Sequence, residues 1–122
     1  MDNLKKVNST PFDYPWWYRK EFDGPVTNET VGALLTFKGI NYRADVWLNG
    51  EQLANDSEIV GTFVVFDFDI TDKLRNNVTN VLALRIKRPS RSNDFPYGRN
   101  NTELGFSFAD WAPPPPDGNM GI

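Results

Sequence analysis

The clearest structural signal in the chain is GINYRADVWLNGEQLA, residues 39–54. Apolar side chains occupy every second position of its first half and would share one face of an extended strand: Tyr42, Ala44, Val46 and Leu48. Asn49-Gly50 follows, a pair that tolerates the positive φ angles of a type I′ turn, whose twist matches two paired strands. Leu53 then returns an apolar side chain to the same face. The pattern predicts a β-hairpin from Tyr42 to Leu53 with one buried face.

The segments around this hairpin also show strand signals, and no window longer than about ten residues shows a helical period. Alternating or β-rich runs separated by turn residues occur at Pro15–Phe22, Ala33–Ile40, Thr62–Ile70 and Val81–Lys87. In the third of these runs, the alternation predicts four core-facing side chains: Val64, Phe66, Phe68 and Ile70. Several short strands joined by turns indicate an all-β sandwich.

The chain divides into three stretches of different composition. Residues 1–14 are polar and lack a period, which predicts an N-terminal arm. Residues 15–122 form the predicted sandwich domain. Within that domain, residues 89–122 are rich in Ser, Asn, Pro and Gly and end on ADWAPPPPDGNMGI, which predicts a long loop and a stiff, proline-rich exit segment.

Composition excludes several classes of function. The 122 residues contain no Cys and no His, so disulfides, thiol nucleophiles, imidazole bases and the usual zinc ligands are absent, and we expect neither a metal nor a cofactor. No apolar run is long enough to cross a membrane. The net charge of −3 is spread over intermixed signs, which argues against nucleic-acid binding. A basic cluster, Arg85–Arg88 with Arg91, is interpreted as a solvated strand end.

The sequence contains no clear pair of catalytic carboxylates, whereas it contains residues suited to sugar binding. Asp67 and Asp69 would lie about 7 Å apart on one strand face, but both are predicted to face solvent, so we predict no catalytic pair. Asp110 beside Trp111 combines a hydroxyl acceptor with an indole that can stack on a pyranose ring. Three further tryptophans lie in predicted strands, where indoles more often serve the core: Trp16, Trp17 and Trp47.

Five Asn-x-Ser/Thr triplets occur where roughly 1.4 are expected by chance. All fall in predicted loops or element ends: Asn8, Asn28, Asn55, Asn77 and Asn100. Glycans are bulky and polar and belong on the surface of secreted proteins. We therefore predict a glycosylated, secreted protein whose signal peptide is absent from this chain; fortuitous triplets in an Asn-rich sequence are the alternative.

The order of these segments resembles the N-terminal sugar-binding domain of glycoside hydrolase family 2. The resemblance lies in PWWYRKEF, GINYRADVWLNG, GTFVVFDFDIT and NVLALRI, and it covers nearly the whole chain. DWAPPPPDGNMGI resembles the exit loop of the subgroup with exo-β-D-glucosaminidases and endo-β-mannosidases. The resemblance implies a jelly-roll sandwich of the galactose-binding-domain type. It also implies a retaining mechanism carried by two glutamates in a separate (β/α)8 barrel, and neither glutamate is among these residues.

The same resemblance implies roles for three residues of the exit segment. Asp110 would accept sugar hydroxyls, Trp111 would wall the subsite, and Asn119 is a further candidate; the alternative is that Trp111 packs under the prolines. The family pattern continues with one more strand of the sandwich, so the domain is expected to lack its last strand. An open sheet edge would make the piece marginally stable, pair two copies as a homodimer, or recruit the arm of residues 1–14.

The sequence is compatible with three functions. The first is a non-catalytic accessory domain of a secreted family 2 glycosidase acting on β-glucosaminides or β-mannosides, with the barrel as its partner. The second is a free-standing, lectin-like protein that binds chitosan-type or mannoside glycans. The third is a protein-interaction domain without a sugar role.

Overall fold

The structure, a computed structural model, describes residues 3, 6, 8, 10–27, 29, 32–87 and 121–122. A short 3-10 turn at Thr10–Asp13 precedes the first strand. The strands in chain order are β1 Trp16–Asp23, β2 Leu34–Phe37, β3 Arg43–Leu48, β4 Glu51–Ala54, β5 Phe66–Asp69 and β6 Thr79–Lys87.

The strands form two antiparallel sheets. The larger sheet has the order β1-β6-β3-β4, and the smaller one pairs β2 with β5. In the larger sheet Ile86 of β6 lies between two partners, Trp16 of β1 on one side and Ala44 of β3 on the other. In the smaller sheet Leu35 lies opposite Phe68. This arrangement confirms the predicted all-β fold.

The core lies between the two sheets. Ala44 and Val46 on β3, with Ile86 on β6, are fully buried, and Phe37 of β2 packs into the same cluster. Phe37 meets Phe68 of β5 edge to face, with ring centroids 6.2 Å apart. Burying such side chains stabilises by roughly 1.5–3 kcal/mol each relative to exposure, so the two facing apolar surfaces hold the sandwich together.

The predicted central hairpin is confirmed. Asn49 and Gly50 form the turn with φ angles of 55° and 88°, the positive values that only such residues adopt without much strain. The pairing of β3 with β4 shifts at a bulge between Val46 and Trp47. In the larger sheet β3 lies in the middle, between β4 and β6.

The strand predicted over Thr62–Ile70 was too long. Only Phe66–Asp69 pairs as a strand, and Val64, predicted to face the core, is 43% exposed. The chain bends at Thr62 and Phe63, and pairing with β2 begins only at Phe66. The hydroxyl of Thr71, just after β5, accepts the backbone N–H of Ala33 at 3.0 Å.

Candidate functional site

The two described residues that flank the segment 88–120 lie against one short stretch of backbone. The carbonyl of Lys87, at the end of β6, accepts the N–H of Tyr42 at 3.2 Å. Gly121 and Asn41 exchange two backbone hydrogen bonds, each of 2.8 Å, as an antiparallel bridge. Both ends of the segment 88–120 are therefore held at the entrance to β3, and we call this stretch, Asn41–Arg43, the root.

The root is itself fixed by the loop that precedes β5. The N–H of Gly61 donates to the carbonyl of Tyr42 at 3.0 Å, and the hydroxyl of Thr62 donates to Oδ1 of Asn41 at 3.2 Å. The guanidinium of Arg43 lies 5.7 Å from the centre of the Tyr42 ring. These contacts give the root backbone and side-chain hydrogen bonds from two directions, so it is a defined anchor point.

The three predicted sugar-binding residues, Asp110, Trp111 and Asn119, lie outside the described residues. Their geometry stays a prediction, as do the domain boundaries at residues 14 and 89. The predicted glycosylation positions Asn28 and Asn100 also lie outside the described part of the chain.

The basic end of β6 is paired with acids from neighbouring segments instead of being simply solvated. Arg85 contacts Oδ2 of Asp45 through Nη2 at 2.7 Å and Nε at 2.9 Å, and Asp45 is only 4% exposed. Lys87 forms an ion pair with Asp56. The hydrogen bond from Lys87, with the nearby charges of Lys87, Arg43 and Arg85, outweighs partial burial and lowers the pKa of Asp56.

Sequence reasoning missed these pairs, although a signal was available. The alternation of β3 placed Asp45 on the face opposite the core, and the alternation of β6 placed Arg85 and Lys87 on a common face. Antiparallel register sets Asp45 directly opposite Arg85. Matching opposite charges between the two predicted strands would have suggested the contact.

The strand tryptophans divide between the two faces of the larger sheet. Trp16 lies opposite Ile86 on the core side, yet it is 42% exposed, and its indole N–H donates to the carbonyl of Pro11 at 3.1 Å. Trp17 lies on the outer side and is 62% exposed, while Trp47 is half-buried beside it. The expectation that these indoles serve the core therefore fails for Trp17 and Trp47, because both side chains lie on the outer face of the sheet.

The pair Asp67 and Asp69 is exposed, as predicted, and each carboxylate is engaged locally. Asp67 accepts a hydrogen bond from the hydroxyl of Thr36 at 2.5 Å. Hydrogen bonds from the hydroxyl and the backbone N–H of Thr71 lower the pKa of Asp69. The lowered pKa favours the ionised form of Asp69, so this carboxylate is not poised as a proton donor.

The described residues offer neither a metal-binding cluster nor a membrane-spanning helix. No group of three or more acidic residues in this part of the chain could hold a metal ion. None of its helical segments is long and apolar enough to span a membrane.

Three predicted glycosylation positions are described. Asn8 and Asn77 are exposed, and Asn55 is half-buried. Asn8 Oδ1 accepts the N–H of Thr10 at 3.0 Å, and Asn55 Oδ1 accepts both the N–H and the hydroxyl of Ser57, at 2.9 and 2.6 Å. In both cases the asparagine and the hydroxyl residue of the triplet are close together.

Comparison with known proteins gives consistent matches. The sequence profile described as "Glycosyl hydrolase 2 galactose-binding domain-like" matches residues 2–119. The exo-beta-D-glucosaminidase of Streptomyces avermitilis is 35% identical over 98% of this chain and 12% of that protein. The mannosylglycoprotein endo-beta-mannosidase of Lilium longiflorum is 33% identical over 89% of this chain and 12% of that protein.

A solved structure supports the same relationship. The crystal structure of an Amycolatopsis orientalis exo-chitosanase superimposes with a TM-score of 0.77 and 32% identity, covering 100% of this chain and 13% of that one. The chain thus spans 12% and 10% of the lengths of two exo-beta-D-glucosaminidases that it matches.

Proposed function

The chain belongs to the glycosyl hydrolase 2 galactose-binding domain-like family, and we propose that it is a non-catalytic accessory domain that helps to shape the sugar subsite of a glycosidase. The segment 88–120 would supply the contacts, with Asp110 accepting sugar hydroxyls and Trp111 stacking on the ring. Asn119 would add an amide next to them.

The observation that carries this proposal is the root. A segment of more than thirty residues is useful in a binding site only if its ends are held, because ordering a free loop costs conformational entropy. Here Lys87 and Gly121 both hydrogen-bond to the stretch Asn41–Arg43. Rigid sheets that present a binding segment from one end are a common way to build recognition sites.

The reaction itself would be carried by a separate catalytic domain of the parent protein. A retaining glycosidase needs two carboxyl groups about 5–5.5 Å apart on either side of the scissile bond. Asp67 and Asp69, the candidate pair considered from the sequence, are exposed. Thr36 donates a hydrogen bond to Asp67, and Thr71 donates one to Asp69. The domain would then position the sugar and leave bond cleavage to the catalytic residues.

We favour β-glucosaminides as the substrate class. Exo-beta-D-glucosaminidases from Streptomyces avermitilis and Amycolatopsis orientalis match at 35% and 34% identity across almost the whole chain. The lily endo-beta-mannosidase, at 33% identity, makes β-mannosides the second candidate.

The first test is the coding sequence downstream of Ile122, which we expect to continue into a catalytic barrel. The longer protein should hydrolyse an aryl β-D-glucosaminide faster than an aryl β-D-mannoside, and the 122-residue chain alone should hydrolyse neither. Replacing Trp111 with Ala in the longer protein should raise KM about tenfold or more through the loss of stacking. Val26→Ala is the control: this side chain is 93% exposed and follows the end of β1 that pairs with Thr79, away from Lys87, so KM should stay unchanged.

Two results would count against the proposal. Turnover by the 122-residue chain would mean that it is catalytic in its own right. A reading frame that closes at residue 122, together with sugar binding by the chain, would favour the free-standing lectin.

We also propose that the protein is secreted and glycosylated. Asn8 and Asn77 are exposed, which suits attachment of a glycan, whereas Asn55 is half-buried. Treating the natural protein with an endoglycosidase should reduce its mass by at least two glycans, and peptide mapping should find them at Asn8 and Asn77. An unchanged mass would contradict this part of the proposal.

A further inference from the structure

Two indoles meet on the outer face of the larger sheet, the face turned away from the core. Trp17 of β1 and Trp47 of β3 stack with ring centroids 5.3 Å apart and an interplanar angle of 27°. The strand between them, β6, places Ala83 opposite Trp47, and its small side chain leaves room for the indoles to approach each other. Together the two rings form a flat apolar platform.

The guanidinium of Arg85, which is held by the carboxylate of Asp45, contacts both rings of this platform. The guanidinium of Arg85 lies 5.9 Å from the centroids of both Trp17 and Trp47. The buried carboxylate of Asp45 holds Arg85 through two contacts of 2.7 and 2.9 Å, and Asp45 in turn accepts the N–H of Asp56 at 3.2 Å. The rings are therefore ordered before any ligand arrives, so binding would not pay to immobilise them.

Polar side chains border the platform, and their charges cancel. Arg19 and Glu21 follow Trp17 on the same face of β1 and pair at 2.5 Å, with 60% and 54% of their side chains exposed. Gln52 of β4, opposite Trp47, is exposed as well. Because Arg85 is neutralised by Asp45, the surface offers many hydrogen-bond donors and acceptors and little net charge.

A flat apolar centre with a neutral polar border suits an uncharged, hydroxylated ring. A β-1,4-linked chain of pyranoses is a flat ribbon that presents C–H groups to an indole and hydroxyls to the border. We propose that Trp17 and Trp47 form a second carbohydrate-binding surface, which takes an uncharged β-1,4-linked oligosaccharide along the outer face of the sheet. Trp17, at 62% exposure, would make the main stacking contact.

The surface adjoins the root but does not use the segment 88–120. Arg85 and Lys87 are two positions apart on β6, a distance of about 7 Å along a strand. A sugar chain could therefore extend from one region to the other. The inference goes beyond the proposed function, because it involves neither Asp110 nor Trp111 and can fail independently of them.

The test is a titration of the 122-residue chain with the hexasaccharide of β-1,4-linked N-acetylglucosamine, followed by nitrogen–proton NMR of the four tryptophan indoles. The indole signals of Trp17 and Trp47 should shift in a saturable way. Trp17→Ala should weaken binding at least about tenfold, while Trp17→Tyr should keep most of the affinity because a ring remains. Phe63→Ala, also an exposed aromatic, should bind as the unchanged chain does.

The inference is overturned if the Trp17 and Trp47 signals do not move, or if only the Trp111 signal moves. It is overturned as well if Phe63→Ala weakens binding as much as Trp17→Ala. Should Trp17→Ala fail to fold, the indole shifts of the unchanged chain and the affinity of Trp17→Tyr decide the matter. Hydrolysis of the glucosaminide by the longer protein tests the proposed function independently, so failure of the titration would not contradict that proposal.

Discussion

At the scale of single residues, Asn80 shows how a fully buried amide can organise a turn. Its Oδ1 accepts from the N–H of Arg75 and from Nδ2 of Asn49, each at 2.8 Å. Its Nδ2 donates to the carbonyls of Arg75 at 2.8 Å and Val78 at 3.2 Å. Asn49 Oδ1 also accepts the N–H of Val81 at 3.0 Å. The two amides therefore join the β3–β4 turn to the start of β6.

Replacing Asn80 with Ala should destabilise the chain by about 2–4 kcal/mol, because two donors and two carbonyl acceptors each lose a buried hydrogen bond. Chemical denaturation monitored by tryptophan fluorescence measures this change. Asn76→Ala is the matched control, since its amide makes one exposed contact to the carbonyl of Glu29, and it should cost less than about 1 kcal/mol. Equal losses in the two variants would contradict the proposed role of the network.

Asp56 should make stability sensitive to acid. Its pKa is lowered in the folded state, chiefly by the hydrogen bond from Lys87, so the folded chain favours the ionised form. The resulting stability is present above the unfolded pKa of about 3.9 and is lost as pH falls through the lower folded value. Asp56→Asn should therefore lose less free energy of unfolding between pH 5 and pH 2 than the unchanged chain.

The size of this effect is limited because both partners are about one-third exposed, at 34% each. Ion pairs of this kind contribute about 0.2–1 kcal/mol, so the difference should lie in that range. Lys87→Met removes the partner and should likewise reduce the loss of free energy of unfolding between pH 5 and pH 2. Asp69, whose pKa is also lowered, retains its part of the acid response in both variants. Identical pH profiles for Asp56→Asn and the unchanged chain would refute the assignment.

At the scale of elements, the exit from β1 depends on a glycine that packs against the Asn80 turn. Gly24 is buried, and its N–H donates to the carbonyl of Val78 at 2.9 Å. A Cβ at this position would lie 1.9 Å from the carbonyl oxygen of Arg75, which is far inside contact distance. Gly24→Ala should therefore force the backbone apart and cost roughly 1–3 kcal/mol.

Thermal denaturation of Gly24→Ala and Gly32→Ala compares a crowded glycine with an open one. A Cβ at Gly32 would meet nothing within 4 Å. Gly32→Ala should leave the melting temperature unchanged or raise it slightly through the unfolded state. A fall in Tm for both variants, or for neither, would show that crowding at Gly24 does not control this corner.

The strands that could be predicted are those in which alternation and turn chemistry agree. The central hairpin has both a period of two and an Asn-Gly turn, and it was found; the strand-like run Val81–Lys87 lies within β6. The predicted strand at Thr62–Ile70 relied on alternation alone. The same alternation placed Val64 in the core, but Val64 is 43% exposed, because no described strand pairs with the chain before Phe66. Period-two patterns show which side chains share a face, but not where pairing begins.

The same limit explains the tryptophans. Alternation along β3 placed Trp47 on the face opposite Ala44 and Val46, but it could not show that this indole stacks on Trp17 across β6. That contact depends on the order β1-β6-β3, in which strands distant in sequence become neighbours. The residues around the root were missed for a similar reason, since Asn41 and Gly121 are eighty positions apart in the chain.

At the scale of the whole molecule, the two sheets differ in size and in how their edges are covered. The larger sheet has an edge at β1 that carries charged, exposed side chains, which discourage pairing with another copy. The smaller sheet contains only β2 and β5 among the described strands, so β2 has one edge without a strand partner in that part of the structure. β5 also has one such edge, but it carries the exposed carboxylates Asp67 and Asp69, which discourage pairing, so β2 is the edge to test for self-association.

The predicted homodimer through an open sheet edge can be tested at β2. Leu34, on this strand, is 65% exposed, so two copies that pair along the β2 edge would bury apolar surface and satisfy backbone groups together. Sedimentation equilibrium over a range of protein concentrations should show a monomer–dimer equilibrium. Leu34→Lys should shift it toward monomer, because like charges would face each other across the pair. Val26→Lys adds the same charge at a site that is 93% exposed outside the strands, so it should leave the equilibrium unchanged. A monomer at every concentration, or an equal shift in both variants, would exclude pairing through β2.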